Sequence, residues 1–229
     1  MPERPTPALS IVLPVLNEAA GIVATLQALV PLRERGAEVI VVDGGSTDDT
    51  LLRAAPWADR VLGSPRGRAR QMNVGAAVAR APLLLFLHAD TQLPDGADAV
   101  LHAAIAGGAS WGRFDVHIDG RATMLRLVAA LMNQRSRFSG IATGDQALFV
   151  RRELFERVGG FPDQPLMEDV ELSRRLRALA PPCCLRERVR TSGRRWEAHG
   201  VWRTIWLMWR LRWRYWRGES PQTLAEAYR

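Results

Sequence analysis

Five short segments of this 229-residue chain place carboxylates or arginines where strands end or helices begin. The β-branched run Val39-Ile40-Val41-Val42 reads as a buried strand, and it runs into Asp43-Gly44-Gly45-Ser46-Thr47-Asp48-Asp49-Thr50. Open α/β sheets bind ligands at the carboxyl ends of their strands, and a glycine turn lets backbone approach them. Asp43 and Gly45 therefore suggest a nucleotide pocket; the competing reading is a surface turn in which Ser46 or Asp49 caps a helix. Glu18, in Pro14-Val15-Leu16-Asn17-Glu18, follows an earlier strand. On its own it reads as a first-turn carboxylate complementing a helix dipole. His88-Ala89-Asp90-Thr91 follows another strand. His88 and Asp90 share one side of an extended chain, and an aspartate there suits a divalent cation held against phosphates. The plainer alternative is an aspartate that caps a turn.

Two further segments open helices. Ser64-Pro65-Arg66-Gly67-Arg68-Ala69-Arg70-Gln71 sets three arginines around a glycine, where free N–H groups and guanidinium groups favour anions. A solvated basic turn is the equal alternative. In Met167-Glu168-Asp169-Val170-Glu171-Leu172, Asp169 precedes Leu172 by three residues, on a stripe continued by Leu176 and Leu179. A carboxylate on the inward face of a helix N-terminus, kept ionised by the dipole, is placed to accept a proton. Here the alternative is a helix cap.

The elements that must position these groups alternate through the first 90 residues. Strands are expected over 9–13, 39–43, 60–62 and 82–87. Helices are expected over 20–35 with an interruption at Pro31, to about residue 55, and over 68–80, where Met72, Ala76 and Ala79 share a face. This order implies a parallel sheet with right-handed crossovers. Beyond it come a helix over 95–106, a strand through Trp111, Phe114, Val116 and Ile118 less buried than the first four, and a helix over 122–132. A strand over 145–150, a helix over 169–179 and a strand over 185–189 complete a half whose strand directions stay open.

Composition narrows the chemistry. A hydrophobic fraction of 47% and a charged fraction of 24% fit one large α/β domain, with or without a C-terminal extension. All 31 basic residues are arginine, so Schiff-base lysine chemistry and a Walker-type phosphate loop are excluded. The net charge of +7 sits in one place. Residues 186–217 hold ten arginines against Glu187 and Glu197, on an otherwise neutral body. That pattern points to a local patch for phosphate, anionic lipid or nucleic acid. Cys183 and Cys184 are adjacent, unsuited to a disulfide and too few for structural zinc, and read as buried free thiols at a strand start. The start Met1-Pro2-Glu3-Arg4-Pro5 lacks an export signal, and no apolar run approaches membrane-spanning length, so a cytoplasmic location is expected.

In their order and spacing, these segments together with Gly144-Asp145-Gln146 resemble a family 2 glycosyltransferase of the GT-A fold, over roughly residues 8–196. Segments 67–72 and 161–175 look most like a bacterial subgroup named for genomic association with radical-SAM and selenodomain proteins. The resemblance implies an α/β fold with a mostly parallel central sheet flanked by helices. It divides the chain into a transferase domain over 1–196, with a nucleotide-binding half (1–95) and an acceptor half (96–196), and an amphipathic helical extension over 197–229.

The activity implied is inverting transfer of a sugar from a UDP- or GDP-type nucleotide-diphosphate donor to an acceptor hydroxyl. Asp169 would be the general base. Pro14, Leu16, Glu18, Asp43, Gly45, Arg66, Arg68 and Asp90 would serve the donor, with Asp43 on the base. Gly144, Asp145 and Glu168 would face the acceptor, and Arg194, Arg195 and Trp196 are diphosphate candidates. The family's paired-carboxylate metal motif reads His88-Ala89-Asp90 here. Asp90 alone is therefore left to hold Mg2+ or Mn2+, with His88 and His199 as further candidates. Processive members carry Gln-x-x-Arg-Trp, whereas this chain has Ser192-Gly193-Arg194-Arg195-Trp196, which implies transfer of a single sugar.

Trp202, Trp206, Trp209, Trp213 and Trp216 form one helical stripe flanked by Arg203, Arg210, Arg214 and Arg217. This resembles an interfacial helix on an anionic membrane and would suit a lipid-linked acceptor; the alternative is packing on its own domain or on a second subunit. Other functions fit less well. A dinucleotide-dependent oxidoreductase lacks its Gly-x-Gly-x-x-Gly after the first strand, and a nucleotidyltransferase lacks its lysine. A peripheral membrane or nucleic-acid binding module built on the tail is the non-enzymatic alternative, although no specific nucleic-acid recognition is expected.

Overall fold

The computed structural model describes residues 6–228, apart from the side chain of Arg195. The first five residues, read above for an export signal, lie outside the described part. The chain runs through β1 (Leu9–Val15), α1 (Ile22–Ala28), α2 (Val30–Glu34), β2 (Glu38–Asp43), α3 (Thr50–Ala54), β3 (Arg60–Gly63), α4 (Arg68–Val78), β4 (Leu83–Phe86), β5 (Thr91–Gln92) and α5 (Ala97–Ala106). It continues through β6 (Trp111–Asp119), α6 (Met124–Ser139), β7 (Leu148–Arg151), α7 (Arg152–Arg157), α8 (Glu168–Arg177), β8 (Cys183–Ser192), α9 (Arg194–His199), α10 (Val201–Trp216) and α11 (Pro221–Tyr228).

One sheet of order β3-β2-β1-β4-β7-β6-β8-β5 organises the molecule. The first four strands in that order are parallel. β7 then pairs antiparallel with both β4 and β6, and β8 lies parallel to β6. Alternation along the strands feeds two cores. Ile11, Leu13, Val39, Val41 and Leu85 face one side, and Val12, Ile40, Val42, Leu84 and Phe86 face the other. On the second side α4 lies so close that a Cβ on Gly75 would come within 2.4 Å of Val12 Cγ1.

Helix α6 is fixed to β6 by polar side chains as well as by Leu125, Val128 and Ala129. Buried Arg113 pairs with Asp115 and donates to Ser136 Oγ (3.0 Å) and Asn133 O (3.1 Å). The Asn133 side chain in turn bonds both the N–H and the C=O of Val116.

Several expectations need correction. The β6 strand is more buried than β3, whose edge position leaves it half open. β7 starts at Leu148 and not at Asp145, because residues 144–146 form a tight 3-10 turn followed by Ala147 with φ +47°. α8 ends at Arg177, so Leu179 lies beyond the helix and 47% exposed, off the inward stripe. Cys183 and Cys184 do open β8 as free thiols, but they are half-buried. The tryptophan stripe of α10 does not pack on its own domain: exposure runs from 58% at Trp213 to 81% at Trp216. The helix docks instead through Leu211, which joins Leu224 of α11 against Leu166 and Met167, just ahead of α8. No helix of the described residues is long and apolar enough to cross a membrane.

Candidate functional site

The carboxyl ends of β1 and β2 are clamped together from below. Buried Gln71 of α4 donates to Val15 O and Val42 O, both at 2.8 Å, and a Cβ on Gly44 would press on its amide. Above the clamp, the turn after β2 is built around Asp43. One of its oxygens accepts the N–H groups of Gly45 and Ser46 at 2.9 Å, and the other takes the Ser46 hydroxyl. Asp43 is thus buried and engaged by its own loop. The loop after β1 is laced to that turn: Asn17 exchanges hydrogen bonds with Ser46 and Thr47, and Glu18 N donates to Thr50 Oγ1. Pro14 is buried within β1, whereas Leu16 and Glu18 line the loop half-exposed.

Glu18 faces Asp90 electrostatically. Its pKa is raised by burial and then by the charge of Asp90, with Arg194 opposing from 3.8 Å. Arg194 reaches that position because Ser192 N bonds Asp90 O at the end of β8. β4 stops at Phe86, and His88 and Asp90 sit in a turn, not on an extended strand. The two side chains part there: His88 Nδ1 lies 3.4 Å from Asp145 Oδ1.

A second set of charges gathers beyond His88. The His88 ring lies against Gly144, where a Cβ would come within 2.4 Å of it. Gly144 N donates to Asp169 Oδ2 at 2.8 Å, and Val170 N donates to Asp169 Oδ1 at 2.7 Å. Burial pushes the pKa of Asp145 up, but the His88 hydrogen bond and the charges of His88, Arg68 and Arg212 outweigh it and hold the group low. Asp145 is ringed by protein, yet its side chain keeps 47% of its surface. Glu168 is buried, with Arg68 Nε 3.2 Å from Oε1 and no partner on Oε2. Its pKa is raised by burial, against Arg68 and with help from Asp169.

Among the described residues, the non-glycine ones in the left-handed region are Asn17 (φ +54°), Ala147 (φ +47°) and Met167 (φ +65°). Each adjoins one of the loops that carry Glu18, Asp145 or Asp169, and strain of this kind collects at sites that must hold a set geometry.

The structure therefore joins Glu18, Asp90 and Arg194 on one side of His88, and Asp145, Glu168, Asp169 and Arg68 on the other. Arg68 joins the second group through Glu168, and Arg66 is exposed in the loop before α4. Trp196 packs half-buried on the core, and the Arg195 side chain lies outside the described residues. Among the described residues no three His, Cys, Asp or Glu side chains converge as metal ligands.

Sequence reasoning missed Gln71, Asn133, Arg135 and Arg212. For the two arginines a signal existed. Arg135 follows Val128 by seven residues and Met132 by three, and Arg212 follows Ile205 and Met208 by seven and four, which puts each on an inward helical face.

This architecture is the GT-A fold of nucleotide-sugar transferases. The chain superposes on S. aureus TarS with a TM-score of 0.63 at 18% identity, covering 81% of this chain and 60% of that one. On glucosyl-3-phosphoglycerate synthase from Mycobacterium tuberculosis, crystallised with Mn2+, UDP and phosphoglyceric acid, the TM-score is 0.59 at 23% identity, covering 80% and 68%. The family described as Glycosyl transferase family 2 matches residues 10–159, and the chain belongs to that family. A PGL/p-HBAD biosynthesis glycosyltransferase of Mycobacterium tuberculosis is 33% identical over 164 residues, 68% of this chain. The chain spans about 63% of the length of that curated relative.

Proposed function

We propose that this protein transfers one sugar at a time from a nucleotide-diphosphate donor to an acceptor hydroxyl, with inversion and with Asp169 as general base. The observation that carries this reading is the division of charge about His88. Carboxylates and Arg194 gather at the ends of β1, β2 and β4, where the donor would lie. Asp145 and Asp169 lie beyond it, where an acceptor would enter.

In the proposed reaction the acceptor oxygen attacks the anomeric carbon and gives its proton to Asp169. The bond to the diphosphate breaks, and the leaving group keeps the electron pair. Gly144 N–H and Val170 N–H each hold one Asp169 oxygen, which fixes the carboxylate while leaving lone pairs for the incoming proton. Arg194 is placed to meet charge developing on the diphosphate.

A divalent cation fits the donor side. Glu18 and Asp90 press on each other electrostatically, and a cation between them and the donor phosphates would relieve that pressure. With few protein ligands, the phosphate oxygens would complete its shell, as suits Mg2+ or Mn2+. When bound it would add positive charge at the leaving group.

The exposed face of α10 supports attachment to an anionic membrane surface and an acceptor presented there. Five tryptophans line it, with Arg210 stacked 4.6 Å from the Trp206 ring and Arg217 5.3 Å from the Trp213 ring. Segments 67–72 and 161–175 favour the radical-SAM-associated subgroup.

Asp169→Asn tests the central reading. Transfer should fall by about 10²–10⁴-fold while UDP or GDP still raises the melting temperature. Full turnover in this variant removes Asp169 as base. Tight, salt-sensitive polyanion binding with no nucleotide binding would favour the tail-based binding module.

A further inference from the structure

The inward faces of α6 and α10 carry two arginines, Arg135 and Arg212, that the mechanism above does not use. Arg135 Nε and Nη2 are buried without a hydrogen-bond partner. Arg113, on the neighbouring strand, shows that the fold can satisfy a buried guanidinium: its Nε, Nη1 and Nη2 reach Ser136, Asp115 and Asn133. Arg135 has no such set. Neither helix needs its arginine for docking, since α6 is anchored through Val128 and Ala129 and α10 through Leu211.

The charges around the pair are lopsided. Burial first, and then the charge of Arg212, lower the pKa of Arg135 to about 9, with Asp169 opposing and Arg113 adding to the depression. Arg212 is likewise lowered by burial, against Asp169 and Asp145. The carboxylate that both arginines feel, Asp169, already accepts two backbone N–H groups. Buried donors without acceptors beside a like charge are relieved by an anion, and guanidinium forks match phosphate and carboxylate oxygens. None of the charges that act on Glu18 at the donor end belongs to this pair.

We infer that Arg135 and Arg212 form an anion subsite on the acceptor side of Asp169, and that the acceptor carries a phosphate or carboxylate close to the hydroxyl that receives the sugar. This rests on the transferase reading, because it takes Asp169 as the point where that hydroxyl binds. Both α6 and α10 contribute, so the C-terminal helix completes the acceptor site.

The test uses the full chain saturated with UDP, which fills the donor end, titrated with sulfate by calorimetry. Saturable sulfate binding is expected in the wild type. It should weaken by about tenfold or more in Arg135→Met and in Arg212→Gln, the loss of a charged hydrogen bond, while UDP affinity stays unchanged. Arg212 lies on a different helix, α10, so its variant keeps the test open if Arg135→Met does not fold. Displacement of sulfate by glycerol phosphate would assign a soluble acceptor, and displacement only by phosphatidylglycerol vesicles a lipid headgroup. Absence of sulfate binding with UDP bound, or equal binding in both variants, overturns the subsite. Failure of UDP itself to bind overturns the transferase reading instead.

Discussion

Gly144 N–H donates to Asp169 Oδ2 across 2.8 Å, tying the turn before β7 to the first turn of α8. The same glycine carries the His88 ring against it, and His88 reaches Asp145. One backbone position thus sets the place of the proposed base and of the neighbouring acidic group together.

Gly144→Ala should therefore act on chemistry more than on donor binding. The added methyl would meet the His88 ring at 2.4 Å and force the ring or the turn aside. We expect kcat to fall by about 10²-fold, the order seen when a catalytic group is misplaced by an ångström, with UDP affinity within about twofold of wild type. Steady-state kinetics with nucleotide titration checks the split.

Asp43 has a task before any donor arrives, since both its oxygens hold the residues 45–46 turn. Asp43→Ala should lower stability by about 1–3 kcal/mol through the orphaned N–H groups and weaken donor binding more than it slows the chemical step. Ser46→Ala frees one carboxylate oxygen and should leave the fold nearly unchanged. If Asp43 recognises the base through that oxygen, this variant binds UDP at least as well as wild type. Thermal melts and calorimetry on both variants read these outcomes.

Glu168 gives a pH signature. Burial raises its folded pKa above the unfolded value, so its contribution to stability is full at low pH and is lost as pH climbs through the raised value. Glu168→Gln removes that loss. Its melting temperature should exceed wild type by a margin that widens from about pH 4 to about pH 8. A margin that shrinks with pH would show that the Arg68 pair outweighs burial.

The two faces of α10 should respond in opposite ways. Trp209→Ala, on the exposed stripe, should alter stability by less than about 0.5 kcal/mol yet reduce sedimentation with anionic vesicles. Leu211→Ala, in the buried contact with Leu166 and Met167, should cost about 2–5 kcal/mol and loosen the loop that presents Glu168 and Asp169. Equal vesicle binding by wild type and Trp209→Ala, with a dimer in light scattering, would assign the stripe to a second copy of the chain.

How much of this was legible beforehand follows from how local each cause is. Three of the four parallel strands, β1, β2 and β4, could be read because β-branched and leucine runs buried on both faces declare themselves over a few residues. Asp43, Glu18 and Asp90 stood out for the same reason, as polar residues directly after such runs. Asp169 was marked by its spacing to Leu172. The two-residue β5 had no local signal, because it exists only by pairing with β8, where Thr91 Oγ1 meets Thr191 Oγ1 across 100 residues. The start of β7 was misplaced because Ala147 takes a left-handed conformation that alanine's own preferences do not announce.

By itself the sequence determined the strand–helix alternation, the acidic strand ends and the amphipathic tail, all products of short-range periodicity and backbone preference. Tertiary structure alone decided which charges share a space. Asp90 faces Glu18 while His88 turns to Asp145, Arg68 joins Glu168, and half-buried Arg135 feels the charge of Arg212 from the far end of the chain. Electrostatic energy depends on distance in space and on the water excluded there, and neither is written in residue order.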